Sequence, residues 1–359
     1  MSPPDGPVEN AADIDPRWMT TALRDFGIEA EVAALSFAPI GTGQMADSFR
    51  FALSYEPGSA QGAPRSVVVK MQAADVLSRN AGVNGAYDKE VRFYRELEPT
   101  LSIRTPNCYL AALPDEAGHF ALVLEDLAPA VQGDQLEGCG VDQARSAVVN
   151  LAGLHGPRWC DPTLHELGWI RTASEEQAEG MQSFLVGLTE QFIEHYGDRV
   201  LARDAEVLRT FAGKSARWML GRPERFAPIH GDYRLDNLLF ATAAGGDPVA
   251  TVDWQTLELG LPARDLAYFL GNSLLPGDRR THERELIGAY HEALVGLGVA
   301  GHSLDECFDD YRYGQFHGLI ITVLAAVILT HTERGDDMFM AMSSRACEAI
   351  RDLESLDLL

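Results

Sequence analysis

The pattern of apolar residues changes near residues 126–130, and this change limits the fold more than any other feature of the sequence. Before it, short alternating apolar runs predict strands, and apolar residues at helical spacing predict helices. The predicted strands cover residues 47–54, 65–71, 108–113 and 119–124. The predicted helices cover residues 11–26 and 87–97, and the first of them has Asp15 as its cap and Pro16 at its first position. This order predicts a small, mostly antiparallel sheet with a helix packed on it.

After the change, helical patterns dominate. They cover residues 142–154, 175–196, 205–220, 280–297, 307–331 and 338–353, with one interruption by short strands and turns at 227–265. We therefore predict an α+β fold with two lobes, a strand-rich lobe over residues 1–127 and a mainly helical lobe over residues 128–359. With 359 residues, 46% of them hydrophobic, the chain is large enough for two cores.

The composition is acidic, with 53 Asp and Glu residues against 29 Lys and Arg and a formal net charge of −24. Nucleic acids and anionic membranes are bound through clustered Lys and Arg, so the charge argues against both as partners. The acidity favours solubility, and it could also concentrate a cationic substrate. The most apolar run, 318–329, predicts a buried helix because a bilayer span needs about 20 residues.

The cysteines and the N-terminus bear on the cellular compartment. The five cysteines are scattered along the chain at Cys108, Cys139, Cys160, Cys307 and Cys347. This spacing indicates neither a disulfide framework nor a zinc site. No charged segment followed by an apolar one marks a secretory signal, so we expect a cytoplasmic protein.

The block at 229–265 holds the most informative motif. It reads IHGDYRLDNLLF, then a polar turn, then VATVDWQ. Two apolar strands thus flank a turn, and a hairpin would bring Asp232, Asn237 and Asp253 to one edge. Taken singly, each motif could also be a polar turn or a strand end with a capping carboxylate.

These residue types suit phosphoryl transfer to an alcohol. That reaction needs a carboxylate that accepts or orients the attacking hydroxyl, and oxygen ligands that hold Mg²⁺ against nucleotide phosphates. Asp232 can serve as the first, and Asn237 and Asp253 can serve as the second. His230, beside them, could be a core histidine and no more.

The first lobe contains candidates for nucleotide contacts. The β-branched run SVVVK ends in Lys70, which could pair with the α and β phosphates if a carboxylate positions it. Glu90 in the predicted helix is the first candidate for that carboxylate, and Asp88 is the second. The same string is also typical of a plain strand with a solvated end.

A glycine-containing segment, GTGQMADS at 41–48, stands where a phosphate-covering loop would lie. Gly41 and Gly43 would let backbone N–H groups approach phosphate oxygens, and Ser48 could add a contact. The segment lacks a full Gly-x-Gly-x-x-Gly pattern, and Gly-Thr-Gly is also a common turn.

The HGD triplet ending at Asp232, with Asn237 five residues later and VDWQ at 252–255, resembles the aminoglycoside phosphotransferase and choline kinase superfamily. Three segments are most similar to its ecdysteroid-kinase-like branch: LEDL at 124–127, DWQ at 253–255 and DLAYFL at 265–270. The resemblance runs from about residue 41 to residue 351. It implies a protein-kinase-like fold with a small antiparallel-sheet lobe and a larger helical lobe.

The resemblance also implies roles for the candidate residues. Asp232 would be the catalytic base, and Asn237 and Asp253 would be ligands of Mg²⁺. Lys70, positioned by Glu90, would contact the phosphates of ATP. The hinge that meets the adenine would lie at the end of the first lobe, where Glu125 and Leu127 offer backbone groups. His230 and Asp265 would be structural, with Asp265 bonding backbone groups of the catalytic loop.

The expected activity is therefore transfer of the γ-phosphate of ATP to a hydroxyl of a small, lipophilic, steroid-like molecule. The lipophilic character rests on similarity to one branch. An aminoglycoside, a macrolide, choline or a hydroxyacyl thioester could be the acceptor instead. A silent pseudokinase or a small-molecule binding protein is the alternative from another class, but a scaffold has no physical need for the intact candidate set.

The acceptor side is less marked in the sequence. Aromatic residues of the second-lobe helices should be mostly core, with a minority free to line an apolar pocket. They are Phe184, Phe192, Tyr196, Trp218, Tyr311, Tyr313, Phe316 and Phe339. Four acidic residues are candidates for selecting a polycation: Asp309, Asp310, Asp336 and Asp337.

Overall fold

The computed structural model describes residues 7–41, 45–74, 85–329 and 331–359. The chain divides into two compact units. The first comprises Met1–Thr100, Thr105–Ala128 and Val252–Thr256, and the second comprises Leu101–Arg104, Pro129–Thr251 and Leu257–Leu359. The main division follows Ala128, next to the end of the predicted first lobe. Each unit also takes in a short segment from the other part of the chain.

The first unit contains a five-stranded antiparallel sheet. Its strands are β1 (Val32–Ile40), β2 (Ala46–Tyr55), β3 (Ser66–Gln72), β4 (Cys108–Ala112) and β5 (Ala121–Glu125), in the spatial order β1-β2-β3-β5-β4. The four predicted strands are confirmed, each within a few residues of its predicted ends. In β3, Val67 and Val69 are fully buried, which explains the β-branched run in the sequence.

Strand β1 was not predicted. It pairs only with β2, so it lies at an edge of the sheet, and of its nine residues only Val32 is buried. Because so few of its side chains enter the core, no alternation of apolar and polar residues marks it. Pro39, near its end, is a further signal against a strand, although edge strands tolerate proline.

Two helices pack in the first unit. Helix α1 (Pro16–Asp25) begins at Asp15, whose carboxylate accepts the Trp18 N–H at 2.7 Å, so the predicted cap is confirmed. Helix α2 (Tyr87–Arg92) continues as a π-helical turn, Phe93–Leu97. One hydrophobic core joins α1 to the sheet, with Trp18, Met19, Leu23, Phe51, Val67, Val69, Met71 and Val123 among its members.

The second unit is mainly helical. Its helices are α3 (Val141–His155), α4 (Glu175–Tyr196), α5 (Ala202–Ala212), α6 (Ser215–Met219), α7 (Ala263–Ser273), α8 (Pro276–Gly296), α9 (Leu304–Gly314), α10 (His317–Ile328) and α11 (Glu333–Asp352). All six predicted helical patterns are present, but two of them, 205–220 and 307–331, each form two helices. Both breaks follow a glycine, Gly213 and Gly314, a residue that commonly ends helices.

Helix α7 was not predicted, and its first residues fell inside the block assigned to strands and turns. Every residue from Ala263 to Ser273 is buried. Its polar residues recur every four positions, at Arg264, Tyr268 and Asn272, but they bond groups inside the protein instead of facing solvent. The apolar run between them, 266–270, is short, and a short apolar run predicts a strand as readily as a buried helix.

Two small sheets complete the second unit. Strands β6 (Val131–Gln132), β8 (Leu238–Thr242) and β9 (Gly245–Thr251) form one, and β7 (Ala227–Ile229) pairs with β10 (Glu258–Gly260) in the other. The hairpin predicted within 229–265 is confirmed, since β8 and β9 pair antiparallel with Leu238 opposite Thr251. Short 3₁₀ turns lie at Ala11–Asp13, Glu98–Thr100, Pro162–Glu166, Gly197–Arg199, Leu235–Asn237 and Ser355–Leu358.

The aromatic residues of the second-unit helices are mostly core, as predicted. Phe184 is the exception at 49% exposure. The buried members are Phe192, Tyr196, Trp218, Tyr311, Tyr313, Phe316 and Phe339. Among the described residues, no helix is long and apolar enough to cross a membrane, and the five cysteines are free thiols.

Gly314 ends α9 where that helix meets the start of α7, and a Cβ there would overlap the carbonyl group of Ala263. We expect Gly314→Ala to lower the free energy of unfolding by about 1–3 kcal/mol, since backbone cannot move aside as a side chain can. Gly288→Ala in α8 is the matched control, because a Cβ there meets nothing within 4 Å. It should raise stability by about 0.5–1 kcal/mol. Thermal and urea unfolding of both variants measure the difference, and equal effects would contradict the close packing.

Candidate active site

Lys70 is buried in β3, with 8% of the residue exposed. Its Nζ lies 2.9 Å from Glu90 Oε1 and 2.8 Å from Glu90 Oε2. Asp88, on the same helix, pairs with Arg92 at 2.8 Å instead. The predicted pairing of Lys70 with Glu90, rather than with Asp88, is therefore confirmed.

Asp253 is the second carboxylate on Lys70, with its Oδ1 3.0 Å from Nζ. Its backbone is left-handed (φ +69°), which for a residue other than glycine costs about 1–3 kcal/mol and needs support from neighbours. The next residue, Trp254, stacks on Phe93 at a centroid distance of 3.7 Å, and its N–H donates to Glu90 Oε1 at 3.3 Å. These contacts explain why Val252–Thr256 belongs to the first unit.

The electrostatics of Lys70 depend on both carboxylates. Burial alone would lower the pKa of Lys70, because it disfavours the charged ammonium. The charges of Asp253 and Glu90 outweigh burial and raise that pKa above its usual value. Lys70 is consequently a fixed positive charge, and the Asp253 side chain, 37% exposed, is the more accessible of its two carboxylate partners.

The remaining first-unit candidates lie at strand ends. Ser48 in β2 is directly opposite Lys70 in the strand register. Gly41 follows β1, is exposed and has a left-handed backbone (φ +72°), whereas Gly43 lies outside the described residues. Glu125 ends β5, and its carboxylate accepts the backbone N–H of Asn107 at 3.0 Å, so its side chain is engaged within the unit.

The segment after β5, which contains Leu127, is anchored by a residue to which the sequence assigned no role. Asp126 accepts a hydrogen bond from Ser66 at 2.7 Å and pairs with Arg50 at 2.8 Å. Burial would raise the pKa of Asp126, but these contacts hold it below its usual value. The backbone groups of Glu125 and Leu127 are thus held in place by a charged side chain between them.

In the second unit, the Asp232 carboxylate is held by three donors. Tyr268 donates its hydroxyl at 2.9 Å, Asn237 donates its amide Nδ2 at 2.9 Å, and Arg234 Nε lies 3.1 Å away. A second bond from Asn237 Nδ2 reaches the Asp232 carbonyl at 2.9 Å. Because the nitrogen is the donor in both bonds, the oxygen of the Asn237 amide is the atom left to coordinate a cation.

Two of these donors were present in the motifs but had no predicted role. Burial raises the pKa of Tyr268 well above its usual value, and the charge of Asp232 adds to this, so Tyr268 remains a donor. Arg234 also pairs with Asp236 at 2.6 Å. Tyr268 stands three residues after Asp265 on α7, so the two share a helix face, and that spacing is the signal that could have found it.

Asp265 shapes the loop that carries Asp232. It accepts the backbone N–H of His230 at 2.6 Å and that of Gly231 at 3.0 Å, which confirms its predicted structural role. Gly231 has a left-handed backbone (φ +80°), which turns the chain between these two N–H groups and Asp232. His230 is fully buried, and its Nδ1 accepts the Asp232 N–H at 3.2 Å, so it is part of the loop scaffold.

Two further histidines complete this buried network. His155 Nε2 lies 3.3 Å from Asp265, and its Nδ1 lies 2.7 Å from the Tyr290 hydroxyl. His317 Nε2 lies 2.8 Å from the Gly231 carbonyl oxygen. Burial would raise the pKa of Asp265, but the contact with His155 and the nearby histidines hold it below its usual value.

The model of the ecdysteroid kinase-like family matches residues 41–298 of the chain. Among curated proteins, none matches the sequence significantly.

Several solved structures share the architecture. A choline kinase from Cryptosporidium parvum Iowa II is 9% identical, with a TM-score of 0.58 and 90% of each chain covered. An ethanolamine kinase from Plasmodium vivax is 10% identical, with a TM-score of 0.50, covering 88% of this chain and 83% of that one. The GDP complex of an aminoglycoside 2′-phosphotransferase is 12% identical, with a TM-score of 0.51 and coverages of 93% and 99%. At these identities the likeness shows a protein-kinase-like fold.

Asp265→Asn tests the loop network. An amide at this position keeps one acceptor oxygen but places an NH₂ donor against the other backbone N–H group, so we expect the free energy of unfolding at neutral pH to fall by about 2–3 kcal/mol. Asp278→Asn is the matched control, because Asp278 is also the third residue of its helix but is exposed. Urea unfolding measures the free energy of unfolding of both variants.

The difference between wild type and Asp265→Asn should depend on pH. The folded-state pKa of Asp265 is below its unfolded value, so its contribution to stability is complete above the unfolded pKa. It is lost as the pH falls through the folded-state pKa, below 3.8. A difference that stayed constant from neutral to acid pH would contradict this assignment.

Proposed function

The chain belongs to the ecdysteroid kinase-like family, and on that premise we propose that it is an ATP- and Mg²⁺-dependent phosphotransferase acting on a hydroxyl group of a small molecule. The observation that carries the proposal is the buried ammonium of Lys70 held between Glu90 and Asp253. A lysine so positioned is the phosphate contact that kinase-like enzymes require. A binding protein without chemistry gains nothing from burying such a charge, because desolvation costs several kcal/mol per ion.

The first unit would supply the nucleotide contacts. Lys70 would pair with phosphate oxygens, and Glu90 would keep its ammonium in place. Ser48 lies opposite Lys70 in the sheet and could donate a further hydrogen bond to phosphate. The backbone groups of Glu125 and Leu127, fixed by Asp126, would meet the adenine.

The donor set fits Mg²⁺ by its chemistry. Mg²⁺ prefers oxygen ligands, and it keeps several waters while binding only one or two protein groups. Asp253 in the first unit offers a partly exposed carboxylate, and Asn237 in the second offers an amide oxygen. When bound with the nucleotide, the ion would neutralise charge on the phosphates.

Asp232 would orient the acceptor hydroxyl and take its proton. Three donors fix its carboxylate, so its remaining lone pairs have a defined direction. Positioning of this kind supplies much of the catalysis in phosphoryl transfer, since the protein does little covalent chemistry. The left-handed Gly231 and the bonds to Asp265 hold the loop that presents Asp232.

We further propose a lipophilic acceptor. The four acidic residues that could select a polycation all have partners: Asp309 and Asp310 pair with Arg222, Asp336 accepts from Tyr196, and Asp337 pairs with Arg199. Helix α10, by contrast, contains no Asp, Glu, Lys or Arg, and several of its apolar residues remain partly exposed, with Ile328 at 59%. Such a surface in the second unit favours an apolar ligand over a polycation.

Replacing Asp232 tests the chemical step. We expect Asp232→Asn to lower the rate of phosphate transfer by at least about 100-fold, because the amide cannot accept the proton, while the Kd for ATP changes little. A panel of lipophilic alcohols, choline and kanamycin, assayed for ATP consumption and product mass, identifies the acceptor for this comparison. Asp247→Asn, an exposed acid in the β8–β9 hairpin, is the control and should keep the wild-type rate. Wild-type turnover by Asp232→Asn would exclude the role of Asp232.

Nucleotide binding is tested separately. Thermal shifts with ATP alone and with ATP and Mg²⁺ should differ in the wild type, and Asp253→Ala should remove the Mg²⁺-dependent part. The double variant Lys70→Ala/Glu90→Gln should weaken ATP binding in both conditions. Removing both charges avoids an unpaired buried carboxylate, which alone could unfold the protein. Lys89→Ala, next to Glu90 in sequence, is the control, and a loss of binding equal to that of the double variant would contradict the assignment.

A further inference from the structure

A group of metal-ligating side chains lies in the second unit, apart from the residues assigned above to catalysis. It consists of His195, His331 and Asp336, whose ligand atoms all lie within 4.8 Å of one another. His195 is the next-to-last residue of α4, and Asp336 is the fourth residue of α11. The group therefore joins the end of one long helix to the start of another.

The start of α11 explains why two of the three residues meet. Thr332 is the helix cap, and its hydroxyl accepts the Gly335 N–H at 3.1 Å. His331 precedes the cap and Asp336 is the fourth helical residue, and side chains at these two positions pack side by side. His331 Nδ1 accordingly lies 3.0 Å from Asp336 Oδ1.

His195 completes the group from the neighbouring helix. Its ring stacks on that of His331 with centroids 4.3 Å apart and planes 27° from parallel. Both histidines are exposed, so their rings can rotate and are accessible to ions from solution. Neither has a role in the proposed phosphotransferase chemistry.

We propose that His195, His331 and Asp336 form a binding site for a divalent transition-metal ion, with Zn²⁺ as the best match. Two imidazoles and one carboxylate are a common protein ligand set for zinc, which leaves a fourth position for water. Mg²⁺ would not compete well, since it prefers an all-oxygen set. Tetrahedral coordination at about 2.0–2.1 Å separates ligand atoms by about 3.3 Å, so atoms that now lie within 4.8 Å of one another need to approach by up to about 1.5 Å.

An outer contact orients the carboxylate ligand. Tyr196 donates its hydroxyl to Asp336 Oδ1 at 2.8 Å, and the Tyr196 side chain is buried. Ligating carboxylates are usually held by such hydrogen bonds. Arg199 adds a second link between the same two parts of the chain, with its Nη2 2.7 Å from Asp337. The carboxylate is thus already directed before any ion binds.

The site lies on the helix end that also contacts the catalytic loop. Arg334, in the first turn of α11, lies 4.0 Å from Asp236. Arg234, which contacts Asp232, donates to the Met338 sulfur at 3.3 Å. A bound ion would fix the start of α11, against which Arg234 and Asp236 rest, so metal binding and loop order should be coupled.

The test measures Zn²⁺ binding by the full-length protein after treatment with a chelator. Zn²⁺ is titrated against a chromophoric chelator in excess Mg²⁺, with thermal unfolding followed in parallel. We expect one saturable equivalent and a higher unfolding temperature with Zn²⁺. His195→Gln and His331→Gln should each weaken binding by at least about tenfold, since even changes in outer contacts have effects of that size.

The control is His119→Gln. His119 also pairs with an aspartate, at 3.0 Å from Asp115, but no second histidine belongs to that pair among the described residues. It should leave Zn²⁺ affinity unchanged. Both test positions are exposed, so the variants should fold, and their unfolding temperatures without Zn²⁺ check this.

The absorption spectrum of bound Co²⁺ distinguishes this site from binding by the five free thiols. Co²⁺ at the proposed site should give visible d–d bands without the near-ultraviolet charge-transfer band of a thiolate ligand. A thiolate band, equal Zn²⁺ affinity in the wild type and both variants, or no saturable binding by the wild type would each overturn the proposal. None of these readouts depends on phosphotransferase activity, so the metal site and the proposed function are tested independently of each other.

Discussion

A buried ammonium group is stable only where opposite charges compensate for the water it has lost, and Lys70 meets this condition twice. Glu90 reaches it from α2, and Asp253 reaches it from the short segment that joins the first unit. Trp254 anchors that segment to the first unit through its stack on Phe93 and its hydrogen bond to Glu90. The position of the candidate metal-binding carboxylate thus depends on an ion pair and an aromatic stack made inside the first unit.

The second unit positions its candidate catalytic carboxylate, Asp232, through a buried helix. A fully buried aspartate, Asp265, bonds the backbone of the loop, and the hydroxyl of Tyr268, one turn along α7, bonds the carboxylate that the loop presents. A single rigid helix therefore fixes both the path of the loop and the direction of Asp232. Since α7 is buried along its whole length, its position is set by core packing rather than by surface contacts.

The sequence predicted the elements that have a clear local signal. Four strands and six helical patterns were predicted from their apolar residues, among them β5, which is buried on both faces. Strand β1 was missed because it is almost wholly exposed, and helix α7 was missed because its polar residues bond groups inside the protein and its apolar run is short. In the site, Lys70, Glu90 and Asp265 could be placed from local motifs, whereas the contact of Trp254 with Phe93 joins residues far apart in the chain and has no local signal.

The net charge of the chain gives little information about the acceptor of the proposed reaction. A charge of −24 could attract a cation at long range, but binding needs carboxylates that are free at the site. In the second unit, three of the candidate acids are paired with arginines, Asp309 and Asp310 with Arg222 and Asp337 with Arg199. The fourth, Asp336, accepts from Tyr196 and lies beside His331, in the group proposed above to bind a metal ion. Helix α10 presents apolar surface. Recognition of a ligand through apolar surface depends on shape and buried area rather than on charge. These contacts are the reason that we propose an uncharged, lipophilic alcohol as the acceptor.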